Sequence, residues 1–406
     1  MNILEITPRI PYPPNDGGAI AMYNTIKYLQ KAQNTVTVLA LNTNKHYQDP
    51  VVLQDICSAV HSVEINTDIR LFKAMFNLFK RVPYNVERFI SKKFAQKIEQ
   101  VLNQQSFDLI QLEGTFVAWY VDIIKKHTKV PVFLRAHNVE YLIWERLYKN
   151  APRHPQAAYI RYLSKKLKQF EKEYFNKFDG ILAITAEDAQ RMREDLQVSV
   201  PIQVIPAGVD FEIFQPNPDI STLPNSLFLF GSLDWIPNVE AVLWFYHQIF
   251  PKLKEQYPDI QIHIGGKNPP SEILSLHDEK HIFVYPNVPS ARDFMQSFEI
   301  MLVPLRSGGG MRIKIIEAMA MGKIVISTSV GAEGILVQNE QNILIANSPQ
   351  EFVTQITRCF EDSGLKQKIA QNAYVTARQH YDWQNITKKM INFYQQIIRS
   401  MSSQKS

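Results

Sequence analysis

The sequence predicts an α/β protein of two Rossmann-like domains in tandem. Three observations predict it: chain length, short β-branched runs alternating with helical periodicity, and a restart of that alternation past mid-chain. At 406 residues the chain is long for one core and suits two domains of roughly 150–200 residues each. Hydrophobic residues make up 45% against 20% charged, enough to fill two cores.

In the first half, β-branched runs mark strands at Asn2–Thr7, Thr35–Leu41, Val60–Ile65, Leu109–Leu112, Val132–Arg135, Gly180–Ile184 and Ile202–Ile205. Between the first two, Ile20, Tyr23, Ile26 and Leu29 recur every three residues and predict a helix over Ala19–Lys31. Gly17 and Gly18 open that helix, where backbone N–H groups can meet an anionic ligand. A tight turn explains the pair equally well, because the Gly-x-Gly-x-x-Gly spacing of dinucleotide sites is missing.

A proline-rich connector, Pro206–Pro224, precedes the second series of strands: Leu227–Phe230, Ile260–Ile264, Ile282–Val284, Ile300–Val303 and Ile324–Ser327. Helices are expected at Asn238–Glu255, with Pro237 before it and Asn238 in the capping position, and at Met311–Met321 after three glycines. Three helical stretches close the chain, the last being Trp383–Ile398. The expected organisation is one Rossmann-like domain over 1–205, a second over 206–380, and a helix over 381–406 returning to the first domain. Such domains bind ligands at the carboxyl ends of their strands, here expected to face a central cleft.

Composition excludes several classes. The net charge of +5 is modest and no Lys/Arg block exceeds a triplet, which speaks against a nucleic-acid binder. Cys57 and Cys359 stand far apart without metal-ligand spacing, so neither disulfides nor zinc are expected. The N-terminal apolar run is short and cut by prolines, and no window approaches the ~18 apolar residues of a membrane span. A cytoplasmic protein is the expectation. Two stretches are basic and aromatic: 69–100, with eight Lys/Arg against two acids, and 151–178, with seven against two. Phe72, Phe76, Phe79 and Phe89 beside Lys73, Lys80 and Lys93 would suit peripheral contact with the inner face of an anionic membrane. A solvated helix face with its aromatics in the core fits the same pattern.

The strongest motif runs from Val303 to Gly322: a strand, the glycines Gly308, Gly309 and Gly310, and a helix start. Glycines let backbone N–H groups approach an anion, and a helix N-terminus adds partial positive charge, the makings of a diphosphate cradle. Arg312 and Lys314 are expected in the first helical turn, where cations are disfavoured without a compensating anion. Glu317, further along, is placed to accept hydrogen bonds from sugar or ribose hydroxyls. A surface helix with Glu317 in an ion pair is the plainer reading. His137 ends a first-domain strand between Arg135 and Asn138, with Glu140 expected to orient it or cap the next helix. Gly231 and Gly266 end the first two strands of the second domain, and Val288 follows the third, behind Asn287. No Asp-x-Asp occurs, so no metal and no cofactor are expected, and cation duty falls to Arg312, Lys314 and the helix dipole.

These segments resemble glycosyltransferase family 4, a retaining group with the GT-B fold, and the resemblance covers nearly the whole chain. It rests on Glu317-Ala-Met-Ala-Met-Gly322, Arg135-Ala-His-Asn-Val-Glu140, Pro206-Ala-Gly-Val-Asp210, Gly231-Ser-Leu-Asp-Trp-Ile-Pro-Asn238 and Gly331-Ala-Glu-Gly334. Many members carry two acids in the loop and helix. This chain keeps the second as Glu317 and has Gly309 at the first, resembling a subgroup of exopolysaccharide sugar transferases with Gly-Gly-Gly-x-Arg-x-Lys. The resemblance implies transfer of a sugar from a nucleotide-diphosphate-sugar to a glycan or lipid-linked acceptor with retention, in polysaccharide synthesis. It further implies His137 and Glu317 as catalytic residues, main-chain contacts to the nucleobase near Val288, and a leaving phosphate that helps deprotonate the acceptor. An epimerase or hydrolase on this fold, or a non-catalytic sugar-binding module, are the alternatives.

Overall fold

The structure is a computed structural model that describes residues 1–150 and 157–403, so the start of the second basic stretch, 151–156, lies outside the described residues. The chain divides into two compact units: Met1–Pro206 with Ile386–Ser406, and Ala207–Asn385.

The first unit is a seven-stranded sheet of β1 (Asn2–Thr7), β2 (Thr35–Thr43), β3 (Ala59–Ile65), β4 (Leu109–Glu113), β5 (Val132–Ala136), β6 (Gly180–Ala183) and β7 (Ile202–Val204). All pairs are parallel, in the order β3-β2-β1-β4-β5-β6-β7. Strands covered by helices on both faces read as continuous apolar runs. β2 shows this, buried at every position after its first. Order reverses at the junction of β1 and β4, so side chains at their carboxyl ends border a crevice. The first helix, Gly17–Lys31, buries Met22, Thr25, Ile26 and Leu29, whereas Ile20 and Tyr23 of the expected stripe are only half-buried. The terminal helix, Trp383–Ser403, supplies this unit with Ile386, Met390, Phe393, Tyr394 and Ile397, spaced three and four apart.

The second unit repeats the plan with six parallel strands: β8 (Leu223–Ser232), β9 (Ile262–Lys267), β10 (Ile282–Pro286), β11 (Phe298–Val303), β12 (Ile324–Ser327) and β13 (Leu344–Ile345). Their order is β10-β9-β8-β11-β12-β13, with the reversal between β8 and β11. Separate apolar clusters flank the sheet, one around Phe245, Ile249 and Phe352, the other around Phe228, Met301 and Met319. Three expectations need correction. β13 has two residues, too few for a β pattern to show. The helix expected from Asn238 starts at Ile236 with Trp235 as its cap, and passes through a π-helical turn at Phe245–Ile249. The helix after the glycine loop spans Ile313–Ala320, which leaves Arg312 just outside its first turn.

Candidate functional site

In the first unit, a cavity of about 350 Å3 opens beyond the carboxyl ends of the central strands, lined by Glu113, His137, Glu140, Phe89, Phe116 and Arg88 among others. Beneath it lies a buried polar chain. Glu5, Gln111 and Glu113 are no more than 1% exposed. The Gln111 amide donates to Glu5 at 3.2 Å and to Glu113 at 2.8 Å, and the Tyr394 hydroxyl donates to Gln111 Oε1 at 2.5 Å. Burial and the neighbouring Glu113 push the Glu5 carboxyl well up, so it keeps its proton. Burial pushes Glu113 the same way, but the hydrogen bond and charge of His137, with Arg135, bring it below its ordinary value. One negative charge therefore sits on Glu113, against the buried Arg135 guanidinium.

His137 Nε2 lies 2.5 Å from Glu113 Oε2. An ionised carboxylate only accepts, so Nε2 carries the proton and the imidazole presents Nδ1. This corrects the expected partner: Glu113, not Glu140, orients His137. Nor is Glu140 the helix cap. Glu171, from the helix Ala157–Phe175, accepts the N–H groups of Glu140 at 2.8 Å and Tyr141 at 3.1 Å. Burial lifts Glu140 to about 7, and burial with the charge of Glu140 lifts Glu171 to about 8. Gly18 lines the cavity, while Gly17 is the first helical residue behind the Asp16 cap, which also pairs with Arg9.

In the second unit, the carboxyl ends of β8 and β9 come so close that a Cβ on Gly266 would stand 1.9 Å from the Gly231 carbonyl oxygen. Lys314 reaches this corner. Its Nζ donates to the Phe230 carbonyl at 2.8 Å and to Asn238 Oδ1 at 3.1 Å. Gly308 and Gly310 of the loop after β11 hold φ of 106° and 82°, the left-handed region that favours glycine. Arg312 folds back on that loop, donating to the carbonyls of Gly309, at 2.5 Å, and Gly310, with its guanidinium 5.4 Å from the Trp235 ring. Arg312 thus braces the loop's carbonyls and Lys314 the end of β8, contacts that the sequence did not show beside the donor role expected of both.

Burial and the charge of Arg312 pull Lys314 down to about 7, while Glu317 opposes that shift. Burial lifts Glu317 to about 7 against the pull of Lys314. Two groups that change charge near neutrality thus sit on one helix beside the loop, an arrangement often found at functional sites. Val288 is half-buried against the apolar cluster, and the Asn287 N–H donates to the Gly266 carbonyl at 2.7 Å. Gly231, Gly266, Lys314 and Glu317 are brought to the reversal of the second sheet together with the Gly308–Arg312 loop, and His137, Gly17 and Gly18 belong to the first unit. Among the described residues, no group of three His, Cys, Asp or Glu is placed to hold a metal ion.

Sequence reasoning missed Glu113, Glu171 and Asn238's grip on Lys314. A signal for the first was present: Gln111 and Glu113 are polar residues inside an otherwise apolar strand that the fold buries on both faces.

Residues 15–213 match the profile described as Glycosyltransferase Family 4, and residues 224–362 match that of Glycosyl transferases group 1. A 44.6 kDa protein of the cps region of Klebsiella pneumoniae is 25% identical over 397 residues, 94% of this chain and 96% of that protein. Sucrose-phosphate synthase from Thermosynechococcus elongatus superposes with a TM-score of 0.74 at 16% identity, over 98% of this chain and 100% of that one. Anabaena HepE in complex with UDP-glucose superposes at 0.61 with 18% identity, over 99% and 100%. At such identities the structures show the fold alone, and that fold is GT-B.

Proposed function

We propose, for a chain that belongs to the family 4 glycosyltransferases, transfer of a sugar from a nucleoside-diphosphate-sugar to a glycan or lipid-linked acceptor, with retention and without a metal. One observation carries the donor class: the glycine loop, with Gly308 and Gly310 at positive φ, runs into the helix Ile313–Ala320 at the second sheet's reversal, where Lys314 reaches the end of β8. A diphosphate there would meet the loop's backbone, the following helix's N-terminus and the Lys314 ammonium, three sources of positive potential that would stabilise it as a leaving group. The solved neighbour holding UDP-glucose supports the same class. The cps-region relative supports a role in polysaccharide synthesis.

On this reading the diphosphate leaves the anomeric carbon and the acceptor oxygen bonds on the same face, its proton passing to the leaving phosphate. The first-unit cavity receives the acceptor. His137, held by Glu113 through Nε2, lines that cavity and can hydrogen-bond a sugar hydroxyl there. Glu317, lifted by burial to about 7, can donate to or accept from the donor sugar.

The test is a calorimetric panel of nucleotide sugars with excess chelator, followed by product analysis with candidate acceptors. Tight binding of one donor and an anomerically retained product are expected. His137→Ala should lower turnover by ~10²-fold or more while nucleoside-diphosphate affinity stays within about twofold. Release of free sugar whatever acceptor is offered would make the protein a hydrolase. An absolute need for added magnesium would remove the metal-free reading.

A further inference from the structure

Residues 69–81 carry a face that the first core does not absorb. Ile69, Phe72, Met75, Phe76 and Phe79 are exposed by 64, 80, 63, 70 and 91%. Exposed apolar residues scattered singly are ordinary, but six in one short segment, Leu78 being the sixth, mark an interaction surface. In the helix Leu71–Asn77, each side chain turns about 100° from the last, which puts Phe72, Met75 and Phe76 within one arc of about 100°. Phe89, the fourth aromatic of this stretch, is no part of the surface: it stacks on Phe116, ring centroids 5.0 Å apart, in the cavity wall.

The backbone beneath these side chains is firmly held. Tyr84 Oη accepts the Arg70 N–H at 2.8 Å and donates to the Arg70 carbonyl at 3.2 Å. At the other end, buried Asn77 donates to the Val82 carbonyl at 2.8 Å. Lys166 donates to the Asn77 carbonyl at 2.6 Å, and Tyr162 to the Leu78 carbonyl at 2.6 Å. Polar groups are satisfied inward while aromatic rings point outward, so the exposure belongs to the folded segment. Those last two bonds come from the second basic stretch, and they bring its exposed Arg161 and Lys165 to the same region as Arg70, Lys73 and Arg81. Of the nearby acids, Glu87 is paired with Lys80 and bonded by Asn77, while exposed Asp68 accepts from the neutral Asn44 and keeps its charge. The outward groups are apolar side chains with Arg70, Lys73 and Arg81 against the one acid Asp68, a net cationic face.

We propose that this face docks the protein on an anionic lipid bilayer, with Phe72, Phe76 and Phe79 entering the boundary of headgroups and acyl chains and Arg70, Lys73 and Arg81 meeting lipid phosphates. Charge complementarity selects a bilayer over a second copy of this chain, which would set like charges against each other. The surface also runs into the rim of the first-unit cavity, since Thr67 lines it and Arg88 donates to the Thr67 carbonyl at 2.8 Å. Docking therefore places the cavity at headgroup level, and does not depend on the reaction the protein performs.

Flotation of the full chain with vesicles of phosphatidylcholine alone, or of phosphatidylcholine with phosphatidylglycerol, tests this without any turnover. We expect partitioning onto the anionic vesicles at least about tenfold above the neutral ones, falling as salt screens the cations. The combined variant Phe72→Ser, Phe76→Ser, Phe79→Ser should lose about tenfold or more while melting as the parent does, since these rings contribute little to the core. Failure of the parent to float with anionic vesicles at low salt would overturn the proposal. So would equal flotation of the variant, or a concentration-dependent dimer that the substitutions dissolve.

Discussion

A lysine ammonium withdrawn from water beside an arginine gives up its proton readily, and Lys314 is in that position, pulled down to about 7. The sign of its response to a ligand follows. In the free protein burial and Arg312 disfavour the ammonium; a diphosphate nearby favours it and raises its pKa. Glu317, already lifted to about 7, is raised further by the same anion. Both groups therefore take up protons on binding. Calorimetry of nucleoside diphosphate at about pH 7.5, in buffers of different ionisation enthalpy, should show net uptake of roughly half to one proton, reduced in Lys314→Met. Proton release, or none exchanged, would place the diphosphate elsewhere. Lys314→Met should also lower the melting temperature, since it leaves the Phe230 carbonyl without its donor, at a cost of ~1–3 kcal/mol. The residue types at this corner were legible in the sequence. Their bracing role was not, because it depends on where the end of β8 lies relative to a helix some eighty positions later.

Glycines read alike in a sequence and differ once the backbone around them is placed. At Gly266 the neighbouring backbone oxygen leaves no room for a methyl group, whereas a Cβ on Gly18 meets nothing nearer than 3.5 Å. Gly266→Ala should force β8 and β9 apart and destabilise the protein by ~1–3 kcal/mol or more, while Gly18→Ala, inside a helix, should be neutral or stabilise by ~0.4–1 kcal/mol. Thermal melting of the two variants checks this, and equal shifts would show the close approach to be relaxed in solution. Strand positions and most strand limits were legible because parallel strands buried on both faces leave long apolar runs, as in β2 and β11. Elements that depend on distant partners were not, among them two-residue β13 and the helix start at Ile236. Glu113 stayed hidden for a related reason. Its meaning comes from His137 just past the end of the next strand, and the two are 24 positions apart in the chain.

The two units are not equally self-sufficient. Ala207–Asn385 is continuous and contains its own two apolar clusters, but Met1–Pro206 is completed by Ile386–Ser406 from the far end of the chain. That helix buries Ile386, Met390, Phe393, Tyr394 and Ile397, each no more than 5% exposed, and sets two of its rings against Phe133 with centroids 5.8 and 4.8 Å away. Five buried side chains at ~1.5–3 kcal/mol each represent ~7–15 kcal/mol, as much as the whole stability of a typical domain. The Tyr394 hydroxyl is also the donor to Gln111 in the buried chain that holds Glu113. Truncation after Asn385 should therefore unfold the first unit while the second still folds and binds nucleoside diphosphate. Limited proteolysis should digest the amino-terminal half and leave a resistant carboxyl-terminal fragment with near-parental affinity. The milder Tyr394→Phe should keep both units folded, lower the first unit's melting temperature by an amount equivalent to ~1–3 kcal/mol, and reduce turnover by loosening Glu113 beneath His137. A truncated chain whose amino-terminal half resists protease as the parent does would show that the first core closes without its terminal helix.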